Sequence, residues 1–143
     1  MKRYKFGLGG VLRLRQMEEE QARASMLEAE RAAEEATAAL NARLEAIGAA
    51  LVDGGHRSGP EFRHERDQLE RHALAVSAAR AAEANALSAM RVSRVAWEEA
   101  AKAVRALERL DERQRAAWRF ETTRAAQLAT DEVAQTHHGR LPR

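Results

Sequence analysis

The feature that most constrains this chain is a ladder of residues seven apart, running from Phe62 to Trp118. Phe62, Leu69, Val76, Met90, Trp97, Val104 and Trp118 fall on it, and only Glu83 and Asp111 are polar rungs. Apolar residues repeating at this period place one stripe along a helix that lies against a partner helix as a coiled coil. No proline or glycine interrupts the stretch. The rest of the chain has to provide the partner, the turn and the use of the assembly.

Composition agrees with long helices. Charged residues make up 32% of the chain and aromatics only 4%, while alanine supplies much of the apolar content. Alanine favours helix strongly but buries little area, so such helices form readily and pack weakly. At 143 residues the chain is expected to be a single coiled-coil domain. It has no cysteine, which excludes a disulfide framework and any thiolate metal site. The start, MKRYKFGLGGVLRLR, has basic residues before an apolar run, but Arg13 interrupts that run and no small-residue cleavage site follows. No stretch approaches the roughly 20 apolar residues of a membrane span. A soluble, cytoplasmic protein is expected.

Helix 1 is predicted over about 11–51, a turn over 52–60, helix 2 over about 60–136 and a disordered tail over 137–143. Before helix 1, Tyr4, Phe6 and Leu8 alternate and Gly9-Gly10 permits a bend. The inner face of helix 1 reads Ala22, Met26, Ala29, Ala33, Ala36, Leu40, Leu44, Ile47 and Leu51. Two successive steps of four from Ala36 to Leu44 form a stutter that relaxes the supercoil locally. Packing is expected to be best from Leu40 to Leu51, where the side chains are larger, and Glu18, Glu19 and Glu20 are expected to be solvated. In the turn, Ser58 can cap helix 2, with Pro60 in its first turn and Glu61 near the positive end of its dipole. A short loop makes the two helices antiparallel neighbours. Helical rise alone gives helix 2 an overhang of about 25 to 30 residues, from about Val104 onward. It would carry Trp118, Phe120, Leu128 and Val133 with little cover, unless residues 1–10 fold along it. The fold class is thus an all-α, antiparallel two-helix coiled-coil hairpin, elongated, with the second helix longer.

Catalytic chemistry finds no foothold. His64 and His72 are two turns apart with no carboxylate placed to complete a zinc site, and His137-His138 is an adjacent pair near the end of the chain. Glu108, Asp111 and Glu112 have arginines three or four residues away, as on any mixed helix face. No catalytic, cofactor-binding or metal residues are expected, and the chain reads as a non-enzyme. Lys2, Arg3, Lys5, Arg13 and Arg15 make a basic start, which suits an acidic protein surface better than nucleic acid because no basic stripe continues along one face.

Three segments together resemble the FliJ-type flagellar export proteins, whose injectisome counterparts are the YscO-type proteins. They are Tyr4-Lys5-Phe6-x-Leu8 with Val11-Leu12-x-Leu14-Arg15, the alanine-rich hairpin, and Trp97 with Leu107-Glu108-x-Leu110-x-Glu112-Arg113 followed by Asp131-Glu132 and Ala134. The resemblance implies a coiled coil shaped like the central stalk of rotary ATPases. It implies binding in the hexameric ring of the flagellar export ATPase through the end that holds both termini. Leu107, Leu110, Arg113, Trp118, Asp131 and Glu132 are the residues placed there. It also implies contact with the cytoplasmic domain of the export gate through Gln68, His72, Ala75 and Ala79. Leu69, Ala73 and Val76 are the neighbouring alternative, although the ladder turns Leu69 and Val76 inward. Export chaperones are further candidate partners, and the implied location is the inner face of the cell membrane at the flagellar base, reached through partners. Two other readings stand beside it: a generic scaffold that self-associates through the overhang, and a nucleic-acid-associated helical protein suggested by the basic start and high pI.

Overall fold

The structure is a computed structural model that describes residues 3–52 and 58–138, with the side chains of 52 and 136–138 left aside. Residues 53–57 of the expected turn and the tail from 139 onward therefore lie outside what is described, whereas 137 and 138, expected in the disordered tail, are the last residues of the second helix. Among the described residues the chain is all-α. Helix α1 runs Gly9–Val52 and the longer α2 runs Gly59–His138. The two pack against each other as a helical hairpin. No described helix is long and apolar enough to cross a membrane.

Each helix starts for a local reason. Gly9 and Gly10, expected at a bend, are instead the first residues of α1, and the turn falls on Gly7 and Leu8. The Gly9 amide donates to the Phe6 carbonyl at 3.2 Å, and the Leu12 amide to the Leu8 carbonyl at 2.9 Å. At the other start, the Glu61 carboxylate accepts from the Ser58 amide at 2.7 Å while the Phe62 amide donates to the Ser58 carbonyl at 3.0 Å. This is the reaching-back half of a capping box, with Ser58 as the cap.

Contacts group the chain into two compact units: Met1–Glu18 with Ala100–Arg143, and Glu19–Glu99. In the second, Met26, Ala33 and Leu40 of α1 are buried together with Val76 of α2. Ladder residues Leu69, Glu83, Met90 and Trp97 are half-buried on the same face. Ala33, at 3% exposed, is the best-covered residue of this core. Packing is not best near the loop, as the larger side chains had suggested: Leu51 is 63% exposed and Phe62 64%. Apolar size gains nothing where the partner helix offers no surface, and past the stutter the α1 seam turns Leu44 partly out to solvent.

Two polar contacts tie α1 to α2 in this unit. Trp97 Nε1 donates to Glu19 Oε1 at 2.6 Å, so Glu19 is not part of a solvated face as expected. Arg94 pairs with Glu30 at 2.8 Å on the surface. The region also carries an open groove of about 560 Å³ lined in part by Ala33, Ala38, Leu87 and Met90.

Candidate functional site

The unit formed by Met1–Glu18 and Ala100–Arg143 contains the denser chemistry. Ala101 is buried, and Val104, Leu107, Leu110, Asp111, Trp118 and Thr122 are half-buried along one side of α2. Leu12 and Gln16 of α1 are half-buried, and so are Tyr4 and Phe6 of the non-helical lead-in. Every described residue after Thr122 whose side chain is described is exposed, Leu128 and Val133 included.

The uncovered part of α2 therefore begins after Thr122, not near Val104. The cause is the non-helical lead-in before Gly9, which continues along α2 beyond the start of α1. The lead-in carries Tyr4 to Trp118, where the rings meet with centroids 5.9 Å apart and a tilt of 51°.

Around this contact four side chains close on one another. The Tyr4 hydroxyl donates to Asp111 Oδ1 at 2.7 Å. Arg115 donates from Nη2 to the other oxygen, Oδ2, at 3.1 Å, and its Cζ lies 5.4 Å from the Tyr4 ring centroid. Asp111, Arg115 and Trp118 are spaced four and three apart, so one helix face presents an acid, a cation and an aromatic in turn. The polar rung at Asp111 now has a physical reason: it receives the only tyrosine of the chain. The Tyr4 phenol is held above its ordinary pKa, first by loss of solvent and then by the hydrogen bond and negative charge of Asp111, while Arg115 pulls the other way.

The residues assigned to the ATPase contact do not form one patch. Leu107 and Leu110 are half-buried on the side of α2 that also holds Trp118, and Trp118 is capped by Tyr4. Arg113 is exposed, and its Nε donates to the Arg109 carbonyl of its own helix at 3.3 Å. Asp131 and Glu132 are exposed and stand about 20 Å further along α2 than Trp118. Tyr4, Asp111 and Arg115 were missed as a group, because nothing local pairs residues more than a hundred positions apart. The available signal was the alternation of Tyr4, Phe6 and Leu8 together with one polar rung in an apolar ladder.

In the Glu19–Glu99 unit, three of the four residues assigned to the export gate share a shallow groove. Gln68, His72 and Ala75 line it with Arg43 and Arg71, enclosing about 430 Å³, and half-buried Ala79 stands outside it. Gln68 Nε2 lies 2.9 Å from His64 Nε2. Of the alternative trio, Val76 is buried, Leu69 half-buried and Ala73 exposed. The groove is cationic through Arg43 and Arg71, which sequence order did not bring together. Among the described residues no group of three or more His, Asp or Glu side chains is arranged to hold a metal.

The fold defines a class: an all-α helical hairpin with a longer second helix. Beyond that class, no protein-family profile, curated protein or solved structure matches the chain.

Proposed function

We propose that this chain is a non-enzymatic component of the flagellar type III protein export apparatus. In this reading it enters the hexameric export ATPase ring as a stalk-like hairpin and contacts the cytoplasmic domain of the export gate. It would act in the cytoplasm at the inner face of the membrane, held there by its partners. The observation that carries the reading is the cluster of Tyr4, Asp111, Arg115 and Trp118 beside an α2 segment whose described side chains are all exposed after Thr122. An aromatic set in a charged, hydrogen-bonded frame is the kind of anchor that dominates protein interfaces.

Exposed Arg3 and Lys5 of the lead-in flank that cluster and favour an acidic ring lumen. The groove of Arg43, Gln68, Arg71, His72 and Ala75 fits an acidic segment of the gate domain. The test is a pull-down with the export ATPase and, separately, with the gate domain, comparing the full chain with a truncation at Leu107. Truncation is expected to abolish ATPase capture and spare the gate. Charge reversal by Arg43→Glu with Arg71→Glu is expected to do the opposite. ATPase capture that survives the truncation would overturn the assignment.

A further inference from the structure

Helix α2 carries a second heptad seam, on the side turned away from α1. Leu74, Ala78, Ala81, Asn85, Ser88, Val92 and Val95 follow one another in steps of four and three, and all seven are exposed. None is charged. Leu74 is 71% exposed, Val92 68% and Val95 59%, so the seam leaves large apolar side chains in water. The ladder on the opposite face is occupied by α1, and no described part of the chain covers this one. An a/d repeat over three heptads on a helix surface is what a further helix requires.

The order of residues along the seam identifies the occupant. Its first half holds Ala78, Ala81 and Asn85, and its second half Ser88, Val92 and Val95. Turning a second copy end for end about a point between Ala86 and Leu87 sets Val95 against Ala78, Val92 against Ala81 and Ser88 against Asn85. Val92 and Val95 then each meet an alanine, and each Asn85 amide meets a Ser88 hydroxyl that it can hydrogen-bond, while Leu74 falls beyond the paired stretch, opposite Glu99. A parallel, in-register pair would instead stack alanine on alanine and leave voids that cost packing energy.

The flanks agree with the antiparallel register. Ala75, Ala82, Ala89 and Ala96 lie along one edge, where antiparallel pairing puts alanine against alanine and lets the axes come close. The other edge sets Arg91 against Ala84 and Glu98 against Ser77, so no like charges meet. Such a contact uses the same patch on both subunits and closes as a two-fold dimer. We infer that the outward seam from Ala78 to Val95 is a docking surface for a second copy of this chain, packed antiparallel through α2. It does not depend on the export reading and uses none of the residues assigned to the ATPase.

The test uses the full chain in sedimentation velocity over a hundredfold range of concentration. A monomer–dimer equilibrium is expected. Val92→Arg and Ala81→Glu should each weaken it roughly tenfold or more by burying an unpaired charge. The double variant should recover most of the loss, because residues 81 and 92 face each other across the seam. Circular dichroism should show unchanged helicity, since both positions are exposed. The absence of cysteine allows a second reading that introduces no charge. Ala81→Cys and Val92→Cys chains should form a disulfide-linked dimer when mixed and oxidised, and little when oxidised separately. A monomer at every concentration would overturn the inference. So would dimerisation that Val92→Arg leaves unchanged, or efficient cross-linking of Ala81→Cys with itself.

Discussion

At the scale of single residues, Tyr4 gives the sharpest reading because it is the only tyrosine. Its phenol has a folded pKa raised above the ordinary 10.0 by desolvation and by Asp111. A raised folded value means that the clasp contributes its full stabilisation below the unfolded pKa. The contribution is then lost as pH rises through the folded one. An ultraviolet absorbance titration should therefore show Tyr4 ionising later than a free tyrosine, and Asp111→Asn should bring the midpoint down. A midpoint at or below the free value would show that the clasp does not form in solution. In the other unit, Glu19→Ala should destabilise the fold by about 1 kcal/mol through loss of the Trp97 hydrogen bond, whereas Glu19→Gln keeps an acceptor and should cost less. Thermal unfolding separates the two. Arg94→Ala should change stability by less than about 1 kcal/mol, because its pair with Glu30 is largely solvated.

At the scale of elements, the two helices differ in what holds them. Over Glu19–Glu99, α1 and α2 hold each other through small residues. Ala33→Leu should therefore overpack a fully covered position and lower stability by about 1–3 kcal/mol. Val76→Ala should cost about 1–2 kcal/mol from the lost methyl groups. Phe62→Ala, at an exposed rung of the same ladder, should stay within about 0.5 kcal/mol. Denaturant unfolding of the three variants tests whether burial or position on the ladder sets the energetics. After Thr122 every described side chain of α2 is exposed, and the Thr130 hydroxyl donates locally to the Ala126 carbonyl at 2.9 Å. A helix without tertiary cover opens easily, so amide exchange should be fast from 123 onward and slow between Ala79 and Val104.

At the scale of the whole molecule, local patterns were far more legible than long-range partners. The ladder from Phe62 to Trp118 and the alternating steps from Ala22 to Leu40 identify an all-α hairpin with a longer second helix, because helical periodicity is a property of neighbouring residues. Helix starts were readable to within about two residues, which is the scatter expected of helix ends. Candidate site residues were legible only as types on faces: Trp118 and Asp111 could be placed on α2, but not paired with Tyr4. That pairing depends on a non-helical lead-in whose path no periodicity encodes. The same limit hid Glu19 beneath Trp97 and Arg43 beside Arg71. If the ATPase reading holds, Trp118→Ala should weaken ATPase capture about tenfold or more while helicity is kept. Tyr4→Phe should weaken it less, since the ring stays and only the hydrogen bond to Asp111 goes.

The sequence by itself determined the helices, their order and which face of each turns inward, because propensity and period act over one or two turns. Tertiary structure alone decided how that ladder is shared out. From Leu69 to Trp97 it is covered by α1, at Phe62 it is bare, at Asp111 and Trp118 it is met by Tyr4, and after Thr122 nothing described covers α2. The physical reason is that coverage depends on how far each partner reaches, and the path of a non-helical segment such as residues 3–6 is set by no helical period.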